Sequence, residues 1–101
     1  TRDDLISLDE NIFKEIFEGV PSKKISNQEI SEGIEMVSLL FSKTNFLNSN
    51  GEVRRAIKEN SISINKLKVD INYRVDSNDL INGKYILIQK GKKNYFVIES
   101  F

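Results

Sequence analysis

The spacing of apolar residues changes along the chain from a helical period to a period of two. Over residues 8–18 and 34–42, apolar side chains recur every three or four positions, as on the buried stripe of an amphipathic helix. A third stripe is formed by Val53, Ala56 and Ile57, at i, i+3 and i+4. Beyond it, apolar and polar residues mostly alternate, which is typical of half-buried strands. We therefore predict three helices followed mainly by strands, an α+β fold.

Three Ser-x-x-Glu pairs, a spacing typical of capped helix starts, mark where these helices begin. The pairs are Ser7 with Glu10, Ser26 with Glu29, and Ser49 with Glu52. The first predicts the start of the helix over residues 8–18, whose buried stripe would contain Leu8, Ile12, Phe13, Ile16 and Phe17. The second predicts a brief helical turn that ends before Gly33, and the third predicts a helix that begins near Asn50.

The strand predictions lie mainly in the second half of the chain. A short edge strand is expected through Lys24 and Ile25, and a half-buried extended segment over residues 67–75. Turns are expected at residues 76–79 and 82–83. The chain closes with a predicted β-hairpin, whose strands cover residues 85–90 and 95–99 around the turn 91–94. The expected fold is about three helices packed on a small, mostly antiparallel sheet that ends in this hairpin.

Composition narrows the possible chemistry. The chain has 101 residues, one domain's worth, and is 39% hydrophobic and 30% charged, as in soluble globular domains. It has no cysteine and no histidine, so disulfides, thiolate metal sites and the commonest general base are all excluded. No apolar run approaches the roughly 20 residues that cross a bilayer. Because Thr1 is not a methionine, we expect an excised or processed piece of a longer protein.

A net charge of zero conceals two oppositely charged halves. Residues 1–48 carry five basic and nine acidic side chains, a balance of −4, and residues 49–101 carry ten basic and six acidic ones, a balance of +4. Any surface that attracts a polyanion is therefore expected in the C-terminal half.

Three basic groups in that half are candidates for phosphate binding. They are Arg54, Arg55 and Lys58 on one helix face, Lys66 and Lys68 at a turn between strands, and Lys90, Lys92 and Lys93 with Asn94 at the hairpin tip. Each alone resembles an ordinary solvated surface, but together they favour a common patch. Guanidinium groups bind phosphate in a bidentate way, so Arg54 and Arg55 are the expected anchors.

Tyr85, Tyr95 and Phe96 could stack on bases, although their place in alternating strands favours packing instead. The acidic pairs, Asp3 with Asp4 and Asp76 with Asp79, show no metal-ligand spacing. We therefore predict no catalytic residue and no metal site in this chain.

The segment from Leu39 to Val69 resembles the small RNA-binding domain first named for the fourth protein of the small ribosomal subunit. The matching positions are Leu39, Leu40, Ser49, Glu52, Arg54, Arg55, Ile57 and the run Ile62, Ser63, Ile64, Asn65. Two positions depart from the pattern: Val53 replaces an alanine, and Lys66 replaces the glycine after Asn65. Since lysine tolerates positive φ poorly, Lys66 is expected to be either a strained turn residue or an extra phosphate contact.

The flanks of this segment are similar to the C-terminal region of bacterial tyrosyl-tRNA synthetases. The similarity lies in Phe-Glu-Gly-Val-Pro at residues 17–21 and Lys-Gly-Lys-Lys-Asn-Tyr at residues 90–95, and it extends over nearly the whole chain. It implies a noncatalytic tRNA-binding appendage of a class I aminoacyl-tRNA synthetase. Residues 1–33 would be a helical lead-in from the missing catalytic part, and residues 34–101 the RNA-binding domain.

The same resemblance implies the partners. The fragment would need no cofactor, ATP would be a co-substrate of the parent enzyme, and the tRNA for tyrosine would be the RNA bound. The parent would be a cytoplasmic homodimer joined through its catalytic domain, and the isolated fragment a monomer.

Two other interpretations stay open at this point. The same RNA-binding fold could belong to another RNA enzyme, such as a pseudouridine synthase, or to a ribosome-associated factor. A protein-interaction module without an RNA partner is the other alternative, supported by the acidic N-terminal helix and the zero net charge.

Overall fold

The computed structural model describes residues 1–101, which form four α-helices, one π-helical turn and seven short strands. The helices are α1 (Arg2–Ile6), α2 (Glu10–Ile16), α3 (Asn27–Ser31) and α4 (Asn50–Lys58), with the π-helical turn at Ser38–Ser42. The strands are β1 (Ser22–Ile25), β2 (Ile34–Glu35), β3 (Ile62–Ile64), β4 (Leu67–Lys68), β5 (Arg74–Val75), β6 (Tyr85–Lys90) and β7 (Asn94–Ser100). The α+β class is confirmed, with more helices than the three predicted.

Five strands form the main sheet in the order β1-β7-β6-β3-β4, and β2 pairs with β5 separately. The central pair, β6 and β7, is the predicted hairpin, in register from Tyr85 opposite Glu99 to Lys90 opposite Asn94. Gly91 begins its turn at φ +65°, a conformation that glycine adopts without strain. The predicted edge strand is also confirmed, because β1 lies at the edge of the sheet, parallel to β7.

Apolar side chains are buried on both faces of the sheet. Along β6, successive side chains point to opposite faces, so Ile86 and Ile88 enter one core and Tyr85 and Leu87 enter the other. The larger core also contains the buried residues of α3, α4 and the π-helical turn, and the smaller core contains Leu5 and Phe13 of α1 and α2. Helices therefore cover both faces, which fixes the hairpin between two layers.

The N-terminal helix differs from the prediction. Instead of one helix over residues 8–18 capped by Ser7, the chain forms α1 and then α2, and Asp9 caps α2 by accepting the Ile12 N–H at 2.9 Å. Of the predicted stripe, only Phe13 is buried, and Ile12 and Ile16 are 43% and 56% exposed. The helix is too short to cover the sheet with more than one side chain.

Residues 34–42 also depart from the predicted continuous helix. Ile34 and Glu35 form β2 against β5, and the helical conformation begins after them. The π-helical turn closes with the Lys43 N–H donating to the Ser38 carbonyl at 2.8 Å. Gly33, at φ +90°, turns the chain so that Ile34 can pair with Val75. The apolar residues of this segment lie in the same core as the stripe of α4.

The long extended segment predicted for residues 67–75 is replaced by two separate strands. Between β4 and β5, Asp70 accepts the Asn72 N–H with its side chain, and its carbonyl accepts the Tyr73 N–H at 3.2 Å. This turn breaks the alternation, and Leu67 is left 51% exposed. The turns predicted at residues 76–79 and 82–83 are confirmed, the first as a capped 3₁₀ turn.

Residues 1–33 contact the rest of the chain through strand pairing, aromatic stacking and an ion pair, among other contacts. β1 pairs with β7, the Phe13 ring stacks on Tyr85 at 4.7 Å between centroids, and Lys84 Nζ lies 3.0 Å from Glu10 Oε1. The Lys84 ammonium lowers the pKa of Glu10, because it stabilises the ionised carboxylate. Residues 1–33 therefore pack on residues 34–101, and the division at residue 33 stays a prediction.

None of the helices has both the length and the apolar character that a membrane crossing requires. No group of three or more acidic side chains is placed to hold a metal ion.

Candidate nucleic-acid interface

Helix α4 presents the first group of candidate cations. Ser49 Oγ accepts the Glu52 N–H at 3.0 Å, and Glu52 Oε2 accepts the Asn48 N–H at 3.1 Å, so the helix begins at Asn50 as predicted. The predicted stripe, Val53, Ala56 and Ile57, is buried. Arg54, Arg55 and Lys58 are exposed, because a helix with one buried stripe turns its remaining positions to solvent.

Arg54 shares a groove with Arg74, which was not among the predicted cations. A groove of about 370 Å³ between α4 and the loop before β5 is lined by Arg54, Tyr73 and Arg74, among others. Arg74 is oriented by its own contacts: Nη2 donates to the Gly33 carbonyl at 3.1 Å, and Nη1 lies 3.5 Å from Glu35 Oε1. Arg74 occupies an alternating position in sequence, and it lines the groove together with Glu35, its partner in the pairing of β2 with β5.

Tyr73 in this groove is half-buried and hydrogen-bonded. Burial and the hydrogen bond that its hydroxyl donates to Asp79 both raise the pKa of Tyr73 well above its ordinary range. Its ring lines the groove together with Arg54 and Arg74.

Lys66 has a strained backbone conformation, and its side chain contacts Tyr95. Asn65 and Lys66 form the two-residue turn between β3 and β4 with φ of +50° and +71°, so the geometry that usually takes Asn-Gly is kept with lysine in the second position. Lys66 Nζ donates to the Tyr95 hydroxyl at 2.9 Å and lies 4.7 Å from the centroid of that ring. This contact fixes the side chain on the sheet and compensates in part for the left-handed backbone.

The hairpin tip provides the third group. Lys90 Nζ lies 3.8 Å from Glu52 Oε1, which connects the tip to the first turn of α4. A groove of about 510 Å³ runs beside the tip, and we call it the hairpin groove. Its lining residues are Gly19, Val20, Pro21, Phe46, Leu47, Glu52, Lys90, Lys93, Asn94 and Tyr95.

The structure brings some of the candidate residues together and leaves others apart. Lys90, Lys93 and Asn94 line the hairpin groove, and Lys66 reaches Tyr95 at its margin. Arg54 lies in the other groove with Arg74. The remaining candidates are exposed and line neither groove: Arg55, Lys58, Lys68 and Lys92. Five of the nine candidate positions therefore lie at one of the two grooves, and the role of all nine in RNA binding stays a prediction.

Two of the three aromatic candidates are part of the core. Tyr85 and Phe96 are only 3% and 8% exposed, so their rings are not available to a base, as the packing interpretation predicted. Tyr95 is half-buried, with its ring against Phe17 at 5.9 Å between centroids and beneath Lys66.

Comparison with known proteins gives the same family throughout. Residues 12–98 match the family described as the tyrosine–tRNA ligase SYY-like C-terminal domain. The chain is 49% identical over 98 residues to the tyrosine–tRNA ligase of Flavobacterium johnsoniae, and 39% identical over 99 residues to that of Porphyromonas gingivalis. Each alignment covers 97% of this chain and 23% of the relative, so the chain spans about a quarter of the length of these relatives.

A solved structure shares the fold. The solution structure of a tyrosyl-tRNA synthetase C-terminal domain superposes with a TM-score of 0.71 at 23% identity, covering 97% of this chain and 95% of that one. The agreement of fold, sequence and length of match leaves one assignment: the chain belongs to the family of tyrosine–tRNA ligase SYY-like C-terminal domains.

Proposed function

We propose that this chain binds tRNA as the noncatalytic appendage of a tyrosine–tRNA ligase. The observation that supports this most directly is the set of exposed cations on α4 and the hairpin, in a chain of this family. Ten of its fifteen basic side chains lie in the half that carries them. The family match also favours this parent over a pseudouridine synthase or a ribosome-associated factor.

The chemistry of the parent would reside outside this chain. This chain matches about a quarter of the length of its relatives. Attachment of tyrosine with ATP would take place in a catalytic part that corresponds to the other three quarters. We propose that the RNA bound is the tRNA for tyrosine, that the parent is a cytoplasmic homodimer joined through its catalytic part, and that the isolated domain is a monomer without a cofactor.

The domain would act by tethering. A tRNA held at this domain and at the active site makes its second contact intramolecularly, which raises the effective concentration of the acceptor end near the catalytic residues. Phosphate contacts would provide most of the affinity, and the shape of the tRNA would provide most of the selection.

The arginines of α4 provide the first test. Replacing Arg54 and Arg55 by alanine is expected to weaken tRNA binding and to flatten its salt dependence, because each lost phosphate contact removes about 0.7–0.9 from the slope of log K against log salt. Loss of both contacts would lower the slope by roughly 1.4–1.8. Binding isotherms at four salt concentrations, measured by filter binding or fluorescence anisotropy, give both quantities.

A control with the same change in charge lies on another surface. Lys23 and Lys24 of β1 are exposed, and Lys24 forms only a 3.7 Å ion pair with Glu99. Replacing both by alanine is expected to leave the slope within about 0.3 of that of the unsubstituted domain, since neither lysine lines either groove. Equal losses in the two double variants would show that net charge, not the α4 surface, governs binding.

A further inference from the structure

The hairpin groove combines an apolar wall, a basic mouth and an open backbone edge. At about 510 Å³ it falls within the range of roughly 300–1,000 Å³ typical of small-molecule sites. The groove beside α4, which Arg54 and Arg74 line, is smaller, at about 370 Å³. The groove is therefore the part of the candidate interface that could enclose a single chemical group.

The apolar lining comes from two parts of the chain. Val20 and Pro21 lie where the chain enters β1. Phe46 packs its ring against Phe96 in the core at 5.8 Å between centroids and remains half-buried. A proline ring and an anchored aromatic ring are surfaces on which a flat base can pack without ordering further side chains.

The backbone of β7 is open toward the groove at Tyr95. The Val97 N–H donates to the Pro21 carbonyl at 2.9 Å, on the side of β7 that faces β1. Because the strand repeats every two residues, the N–H and carbonyl of Tyr95 point to that same side. β1 begins only at Ser22, which pairs with Val97, so no strand covers the backbone of Tyr95. A donor and an acceptor are thus available to the edge of a base.

The mouth of the groove carries one unpaired cation. Lys90 is held by Glu52 at 3.8 Å, whereas Lys93 is exposed and forms no ion pair. Asn94, next to Lys93, adds an exposed amide. Phosphate is the anion that accompanies a base in RNA, and it would lie at Lys93 when the base lies against the apolar wall.

We propose that the hairpin groove binds one unpaired nucleotide of the RNA, with its base between Pro21 and Phe46 and its phosphate at Lys93. This proposal rests on the proposed function, since it assigns a nucleotide subsite within the same tRNA interface. It adds a preference for an unstacked base to an interface that otherwise contacts the phosphate backbone.

Free nucleotides test the subsite without tRNA. Titration of the isotopically labelled domain with UMP or AMP is expected to shift the amide resonances of Phe46, Lys93 and Tyr95 at millimolar concentrations. Ribose 5-phosphate, which lacks the base, is expected to shift Lys93 alone. Equal shifts at Phe46 with and without the base, or shifts confined to α4, would overturn the subsite.

Two neighbouring lysines provide a matched pair of variants. Lys93 lines the groove and Lys92 does not, although both are exposed at the same turn. Lys93→Ala is expected to weaken tRNA binding at least threefold more than Lys92→Ala, because only Lys93 would contact the enclosed phosphate. Equal losses would contradict the assignment of the phosphate.

Phe46→Leu tests the base. Leucine keeps apolar contact with Phe96 but removes the flat ring, and a loss of affinity for tRNA of at least about fivefold is expected from lost stacking. The thermal midpoint of the variant verifies that it folds. If the unsubstituted domain binds tRNA with a normal salt slope and Phe46→Leu binds tRNA equally well, the subsite is wrong and the proposed function stands. If the unsubstituted domain binds no tRNA, the proposed function fails, and the UMP titration still tests the groove.

Discussion

Replacing Asn65 by alanine is expected to lower the free energy of unfolding by about 3 kcal/mol. The side chain is only 3% exposed and makes two hydrogen bonds: Oδ1 accepts the Leu87 N–H at 2.8 Å, and Nδ2 donates to the Asp79 carbonyl at 2.6 Å. Alanine would leave both backbone groups buried without a partner, at about 1–3 kcal/mol each before relaxation. Urea denaturation should show a lower midpoint at an unchanged slope.

The left-handed backbone of Asn65 contributes a separate part of this loss, which a second asparagine isolates. Asn45 has φ +53°, close to the +50° of Asn65, but its side chain is exposed and makes no hydrogen bond within the chain. Asn45→Ala is therefore expected to cost only about 1 kcal/mol, the penalty of a left-handed alanine. If the two variants lose equal stability, the buried hydrogen bonds contribute nothing measurable.

The second large effect is expected at Phe13, which joins the N-terminal helices to the sheet. Its ring is 1% exposed and stacks on Tyr85 at 4.7 Å with an interplanar angle of 14°. Phe13→Ala would remove the largest apolar side chain that α2 buries, at about 3 kcal/mol, near the lower end for buried phenylalanine because two short helices can partly settle into the space. Denaturant unfolding followed by circular dichroism measures this loss.

Ile16 is the matched control on the same helix. It is 56% exposed, so Ile16→Ala is expected to change stability by no more than about 0.5 kcal/mol. A second readout reports on the contact itself. Burial raises the pKa of Tyr85, and loss of the Phe13 ring would expose this phenol and return its pKa toward about 10. An unchanged Tyr85 titration in Phe13→Ala would contradict the stacking as the cause of burial.

The contrast between Phe13 and Ile16 shows where helical periodicity fails as a predictor. Both residues occupy the apolar stripe, so the helical period predicts that both are buried. A seven-residue helix makes fewer than two turns, so only one position faces the sheet squarely. The position that faces the sheet depends on where the helix starts. Asp9, and not Ser7, is the N-cap residue of α2.

Residues 67–75 show the same limit for strands. Alternation predicted one long strand, but the side chain of Asp70 accepts the Asn72 N–H and stabilises a local turn instead. The partners of a strand lie far away in sequence, so alternation cannot show whether a partner is present. Here β5 pairs with β2 rather than with the main sheet, and Arg74 of β5 lines a groove that Arg54 also lines.

The local signals of the sequence determined the features that depend on neighbouring residues. Residue type and spacing predicted the cap at Ser49, the buried stripe of α4, the turns and the closing hairpin. Each of these features depends on residues that are close to one another in sequence. The family was determined as well, since the signature of α4 and its flanks is itself a sequence.

Only the tertiary structure decided how the candidate cations are grouped. The sequence suggested one basic patch, whereas the fold places Lys90, Lys93 and Asn94 in one groove and Arg54 with Arg74 in another. It also placed Lys66 over Tyr95, 29 positions away, where its ammonium is already engaged. The physical reason is that contacts of this kind depend on strand order and register. Those are set by the burial of two cores at once and not by any local run of residues.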